Sequence, residues 1–203
     1  MPITGRTPKA CFDEFVGHLR SLCAKTLTKQ HQLISRRTDD ETQIGISFLQ
    51  RDAPVTVPLK TKAHGTVYFS IAQDLRAKLD EEETYRLETH AYWYRLQSAP
   101  EATAQAAIRW EYERKPEGGK KHCRHHVQQD THVALGTGRL DLNKAHLPTG
   151  WVTIEEVLRF LINDLGVKPP CGASWATVLA ESEAKFYEEF TSKRYTPPKG
   201  HRR

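Results

Sequence analysis

Apolar residues recur along this chain with two different periods. Behind Thr7-Pro8, a pair suited to open a helix as N-cap and first helical residue, Phe12, Phe15, Val16, Leu19, Leu22, Cys23 and Leu27 return at three- and four-residue steps. That spacing predicts an amphipathic helix over 8–31. Segment 35–43 is polar throughout and reads as a loop. From 43 onward the period drops to two: Ile44, Ile46 and Phe48 alternate with polar residues in 43–50, and 55–59 follows after the turn-forming Asp52-Ala53-Pro54, so the two segments are expected to pair as a hairpin. Val67, Phe69 and Ile71 mark a strand over 65–71, and the composition of 72–82 predicts a short exposed helix.

The middle of the chain is long, aromatic and strand-like. Strands are expected over 84–97, 107–114 and 121–128, the last two joined by a loop at Glu117-Gly118-Gly119. Because side chains alternate across a sheet, Leu87, Thr89, Ala91 and Trp93 are assigned to one face with Ile108, Trp110, Tyr112, Cys123, His125 and Val127. The opposite, polar face collects His90, Tyr92, Tyr94, Arg109, Glu111, Glu113, His122, Arg124 and His126. A slip of one residue exchanges the two sets.

The last third returns to the helical period. Thr153-Ile-Glu-Glu is a capping box, Ile154, Val157, Leu158, Leu161 and Leu165 form the stripe behind it, and Gly166 ends it. Ser174 is placed to cap a second helix carrying Trp175, Val178, Leu179, Ser182, Phe186 and Phe190. The expected fold is α+β: one domain over 1–192, in which a curved antiparallel sheet (43–128) packs against the N-terminal helix and two C-terminal helices (153–192). Residues 193–203 read as a flexible basic tail.

Composition and charge narrow the function classes. In a chain of 203 residues, 38% hydrophobic content allows a sizeable core. No apolar run reaches the ~20 residues needed to cross a bilayer, and the N-terminus lacks the apolar stretch of a signal peptide. The expected location is cytoplasmic, without a membrane partner. Cys11, Cys23, Cys123 and Cys171 form no CxxC pair, which disfavours a disulfide framework and a zinc knuckle and favours free thiols. The net charge of +5 is unevenly spread: residues 1–37 carry +5, 114–126 carry +4 and 193–203 carry +5, leaving −9 for the rest. A map of this kind suits RNA or another nucleic acid as partner.

The candidate chemistry lies on the polar face. Metal-free RNA cleavage needs a base, an acid and a cation beside the phosphate, and histidine serves as donor or acceptor near neutral pH. His122, His126, Arg124, Arg109 and Glu111 supply these types and are the candidate catalytic residues. Tyr92 and Tyr94, for base stacking, and Lys120, Lys121 and Arg114, for phosphate, are the candidate nucleic-acid contacts. The same residues permit a non-enzymatic module for nucleic acid or protein, and His122 and His126 with Glu111 permit a divalent metal. No cofactor motif is present: Gly136-Thr-Gly138 lacks the strand and the Lys-Ser/Thr of a phosphate loop and reads as a turn. Whether the protein is an enzyme stays open.

One stretch resembles a known family. Tyr92-Trp93-Tyr94 at the end of an aromatic strand, then Arg109-Trp110-Glu111, then His122-x-Arg124-His125-His126, then the helix from Ile154 follow the order of the small TumE-like toxins of bacterial toxin–antitoxin operons. The resemblance spans about residues 85–162. It implies Arg109, Glu111, His122, Arg124, His125 and His126 as the matching positions, a toxin-like role and an antitoxin-like partner encoded nearby. Joined to the acid–base chemistry of the polar face, it gives the reading of an RNA-directed toxin-like or nuclease-like protein, such as a ribonuclease.

Overall fold

The structure, a computed structural model, describes residues 4–38, 41–50, 53–101, 103–114, 124–135, 138–142 and 144–191. Its elements in chain order are β1 (Thr4–Gly5), α1 (Pro8–Thr26), β2 (Leu33–Arg37), β3 (Gln43–Gln50), β4 (Ala53–Pro54), β5 (Val57–Lys60), β6 (Thr66–Leu79), β7 (Tyr85–Gln97), β8 (Ala106–Glu113), β9 (His125–Gln129), β10 (His132–Leu135), β11 (Gly138–Asp141), β12 (Leu147–Pro148), α2 (Ile154–Asn163) and α3 (Trp175–Thr191). The large sheet is antiparallel in the order β12-β9-β8-β7-β6-β3-β2, with β1 on β7, β4 on β3 and β5 on β6. The expected α+β class is what forms: a large antiparallel sheet contacted by an N-terminal helix and two C-terminal helices.

One face of the sheet is the core. Ile44, Ile46 and Phe48 of β3, Phe69, Ile71 and Leu75 of β6, and Tyr92, Tyr94 and Leu96 of β7 are buried against Phe12, Val16 and Leu19 of α1, Val157, Leu158 and Leu161 of α2, and Leu179 of α3. Both helix caps expected at threonines are formed. The Thr7 hydroxyl accepts from Ala10 N–H, and Thr153 and Glu156 close the capping box. Gly166 does stop α2. It adopts φ +69°, and a Cβ there would stand 2.7 Å from the Cβ of Lys62, whose N–H donates to the Leu165 carbonyl. No helix among the described residues is long and apolar enough to cross a membrane.

Four local expectations are corrected. Helix α1 ends at Thr26 rather than 31, because 28–32 carries no apolar anchor for a further turn and the chain must deliver Leu33, 1% exposed, to the core as the start of β2. That strand occupies part of the segment read as loop. The segment 72–82 is strand to Leu79 and not helix: Gln73 and Leu75 point into the core on a period of two, and pairing with β3 and β7 on either side outweighs the helix propensity of the sequence. Segment 55–59 pairs with β3 only at its first residue. Ala53–Pro54 folds back on β3 and Val55 N–H still donates to the Phe48 carbonyl at 3.0 Å, whereas β5 pairs with β6, burying Val57 and Leu59; Pro58, which has no N–H to give, is tolerated because β5 is an edge. The Ser174 hydroxyl donates to the Cys171 carbonyl in the short 3-10 turn that precedes α3.

Strands β10 and β11 form a separate ribbon that the apolar pattern did not reveal; the rest of the Gly136-Thr-Gly138 turn, the loop at 117–119, Cys123 and the tail 193–203 lie outside the described residues. The β6–β7 turn is held by Asp80, whose carboxylate accepts from the N–H groups of Glu82 and Thr84 and from the Thr84 hydroxyl, and meets Arg86 at 2.5 Å. Those bonds, led by the Thr84 N–H, hold its carboxyl down at about 2. Cys11 and Cys23 are buried free thiols and Cys171 is half-buried.

The three helices meet over a buried polar chain. Ser182 Oγ of α3 lies 2.5 Å from Glu155 Oε1 of α2 and 2.7 Å from His18 Nε2 of α1. Glu155 and Ser182 are 4% and 3% exposed. A hydrogen bond to a charged group contributes about 1.5–3 kcal/mol, so Ser182→Ala is expected to lower the unfolding free energy by that amount, seen as a lower urea midpoint. Burial raises the Glu155 carboxyl above its usual 4.5 and, with Lys185 and Lys25 nearby, lowers the His18 imidazole below its usual 6.5. The folded state therefore holds the Glu155 proton more tightly than the unfolded chain, and that contribution is lost as pH rises from 4.5 through the folded value. His18 acts in the other direction, its contribution being lost as pH falls below 6.5. The stability of Glu155→Gln relative to the native sequence should accordingly increase as pH is raised from 4.5; a pH-independent difference would refute the assignment.

Candidate functional site

Strands β8 and β9 pair with Glu111 opposite His126, Tyr112 opposite His125 and Trp110 opposite Val127. His126 thus joins Arg109 and Glu111 on the outer face and His125 turns to the other side, as the alternation predicts. His125 stacks on Tyr112 at 4.4 Å and meets Trp151 edge-on at 5.2 Å. Burial, with Arg124 adding to it, depresses its imidazole pKa.

Strand β7 is a correction. Tyr92 pairs with Tyr112 and Tyr94 with Trp110, while Trp93 lies opposite Glu111 and Arg95 opposite Arg109. The two tyrosines therefore belong to the core face, and Trp93 belongs to the polar face. The cause is a β-bulge: Asp74 of β6 pairs with Ala91 and Leu75 pairs with Thr89, leaving His90 as an extra residue in β7. One inserted residue reverses the alternation beyond it, so Leu87 and Thr89 keep their expected face while Ala91 and Trp93 change sides. The sequence did carry a sign of this. Leu87 sits at an odd position and Leu96 at an even one, and an unbroken strand cannot point both at one core.

Tyr92 and Tyr94 are 1% and 2% exposed and stack on each other at 4.7 Å, which removes them from any surface contact with a nucleic acid. The Tyr92 hydroxyl accepts from Val152 N–H at 3.1 Å, and the Tyr94 hydroxyl accepts from Gln73 Nε2 at 2.7 Å. Burial pushes the Tyr92 phenol up to about 12 and raises the Tyr94 phenol as well. Arg114 is paired with Glu88 at 2.6 Å. Arg124 is exposed at the entry to β9, where its carbonyl accepts from Glu113 N–H. Neither arginine lines the cleft described next, and His122, Lys120 and Lys121 lie outside the described residues.

On the outer face, a cleft of about 410 Å³ is lined by Ser47, Ser70, Trp93, Arg95, Arg109 and Glu111, with Phe48, Pro54 and Val55 at the β3–β4 end. Strand pairing builds it in two rows. Ser47, Ala72, Trp93, Glu111 and His126 form one; Ser70, Arg95, Arg109 and Gln128 form the next. A polar chain runs beneath it. His126 Nε2 lies 3.0 Å from Glu111 Oε2, and Arg109 Nη1 lies 3.6 Å from Glu111 Oε1. Arg109 also donates to the Gln128 side-chain carbonyl, and Gln128 Nε2 reaches His146 at 3.5 Å, whose ring lies 4.5 Å from that of His126. His126 is 3% exposed, so solvent reaches this pair through Glu111.

Arg95 and Arg109 are direct cross-strand partners. Arg95 donates to the Ala104 carbonyl at 2.8 Å, and burial, then the charge of Arg109, weakens its hold on its proton, with Glu111 opposing. Trp93, Arg95, Gln128 and His146 are site residues that the sequence pattern did not single out. The first two follow from the bulge, whereas His146 stands in an irregular segment where no period marks it. Among the described residues no group of three or more metal-ligating side chains forms. Of the three suggested for a metal, Glu111 and His126 are hydrogen-bonded to each other and His122 lies outside the described residues.

Compared with family models, curated proteins and solved structures, the chain matches none.

The two tyrosines, being core residues, should report on stability alone. Tyr92→Phe is expected to cost about 0.5–1.5 kcal/mol through loss of the bond to Val152. Tyr94→Phe is expected to cost about 1–3 kcal/mol, because it strands the buried Gln73 amide. Thermal unfolding measures both, and ligand binding on the outer face should be the same in each variant as in the native sequence.

Proposed function

We propose that the protein is RNA-directed and that the outer-face cleft is where it meets RNA. The observation that carries this reading is the juxtaposition of an indole, two guanidiniums and a carboxylate in one small cavity, Trp93, Arg95, Arg109 and Glu111, with the His126 imidazole held against that carboxylate from behind. An aromatic face accepts any base by stacking, and guanidinium forks match phosphate oxygens. Phosphate would lie against Arg95 and Arg109 and the base against Trp93. The polar chain behind the cleft keeps Glu111 and Arg109 in place before a ligand arrives, which reduces the ordering that binding must supply. The basic segments of the chain would add sequence-independent attraction.

A second reading, acid–base cleavage of the bound RNA, is favoured by the 3.0 Å contact between Glu111 and His126. Glu111 borders the cleft and is the group able to take a proton from a 2′-hydroxyl, and His126 behind it orients the carboxylate and supports its change of charge. Arg109 would face the phosphate as its charge develops. A toxin-like role with an antitoxin-like partner, which the resemblance over residues 85–162 implies, belongs to this reading.

Titration with a single-stranded RNA at low salt, followed by tryptophan fluorescence, tests the first reading. Arg109→Ala should weaken binding about tenfold or more, since a charge-assisted hydrogen bond contributes about 1.5–3 kcal/mol. It should also lower the salt slope by about 0.7 for each phosphate that is no longer neutralised. Absence of RNA binding at low salt, or equal affinity in the native chain, Arg109→Ala and Trp93→Ala, overturns it. For the second reading, RNA degradation across the neutral pH range and growth arrest on expression should both disappear in Glu111→Gln; an inert native chain defeats it.

A further inference from the structure

We infer that the cleft selects a phosphomonoester, the terminal phosphate of a nucleotide or of an RNA end, over the internal diester of a continuous strand. The inference rests on the reading that RNA meets the protein here, and it starts from an electrostatic conflict in the sheet. Arg95 of β7 and Arg109 of β8 occupy directly opposed positions of an antiparallel pair, and both line the cavity. Like charges placed this way repel. Glu111 lies 3.6 Å from Arg109 and also opposes the effect of Arg109 on Arg95, while Arg109 donates to the Gln128 side chain and Arg95 to the Ala104 carbonyl. These three charged groups leave one positive charge in excess at the Arg95–Arg109 end. An anion seated between the two guanidiniums removes the repulsion.

The size and donor set of the cavity decide which anion. Its 410 Å³ lies at the small end of the range for ligand pockets, about 300–1,000 Å³, and suits one nucleotide unit rather than a stretch of chain. A phosphomonoester carries about −1.5 to −2 charges near neutral pH and presents three strongly accepting oxygens, whereas a diester carries a single charge. Each guanidinium has five N–H donors in a rigid fork. The hydroxyl side chains of Ser47 and Ser70 line the same cavity, so donors come from β3, β6, β7 and β8 together. Trp93 stands one row away from the arginines, on the side of Glu111, where a nucleoside attached to that phosphate would lie.

Competition binding tests this with five probes on the full chain: adenosine, adenosine 5′-monophosphate, and one short single-stranded RNA prepared in three forms, with hydroxyl ends, with a single 5′-phosphate or with a single 3′-phosphate. The monophosphate should bind at least about tenfold more tightly than adenosine. A phosphate-ended RNA should bind at least about tenfold more tightly than the hydroxyl-ended one, and the 5′ and 3′ arms show which end is read. Both preferences should vanish in Arg95→Gln and be largely lost in Arg95→Lys, which keeps the charge without the fork; a native-like circular dichroism spectrum and unfolding midpoint certify each variant. If monophosphate binds and no RNA does, the inference stands while the RNA reading falls. If hydroxyl-ended RNA competes as well as phosphate-ended RNA and both depend on Arg109, the RNA reading stands while the inference falls. Preferences that survive intact in Arg95→Gln also overturn it.

Discussion

The antiparallel pairing of β6 with β7, and the single extra residue within it, is the constraint on which the rest of the molecule depends. These are the two longest strands, paired from Tyr68–Gln97 to Leu79–Tyr85 with the β-bulge at His90. On the Tyr85 side of the bulge odd-numbered residues of β7 face the core; on the Gln97 side even-numbered ones do. The later strands of the large sheet take their orientation from this. Strand β8 pairs with the far half of β7 and β9 pairs with β8, so the bulge decides which side of the sheet receives Trp110 and Tyr112 with the helices, and which side receives Glu111 and His126.

Two different kinds of packing follow on the two faces. The core face is closed by three helices and by aromatic contacts that tie the sheet to the chain entering α2: Tyr92, Tyr112 and His125 cluster with Trp151, and Trp110 meets Phe160. Several polar groups admitted to this side are partnered across elements, as in Tyr94 with the Gln73 amide nitrogen and in the chain from His18 through Ser182 to Glu155. An unpartnered donor or acceptor in such surroundings costs about 1–3 kcal/mol. These pairs therefore restrict how the helices sit on the sheet as much as they stabilise it.

The outer face is organised around Glu111. Its carboxylate faces His126 on one side and Arg109 on the other, and Arg109 continues to Gln128 and His146. Held from behind in this way, the side chains that line the cleft have fixed positions when a ligand enters. The same network divides the proposed roles. Arg95, Arg109 and Trp93 border the cavity as binding groups, Glu111 stands at the boundary, and buried His126 acts through Glu111. An acid–base reading that placed His126 directly on a substrate would contradict its burial.

Much of the fold was legible in the sequence, because it depends on residues close together in the chain. The α1 cap at Thr7, the capping box at Thr153, the stop at Gly166 and the placement of His126 with Arg109 and Glu111 all follow from local chemistry or from alternation within a short strand. What the sequence by itself determined, then, is the α+β class, the three helices and the grouping of Arg109, Glu111 and His126 on one face. Tertiary structure alone decided the rest. Residues 72–79 have a helix-like composition and became strand because β3 and β7 offered hydrogen bonds on both edges; β5 left β3 for β6 because Val57 and Leu59 found burial there. The site changed most for the same reason. Whether Tyr92 or Trp93 faces outward turns on one unpaired residue, His90, whose insertion is settled by the register against β6, and no periodicity within β7 alone can specify a register against another strand.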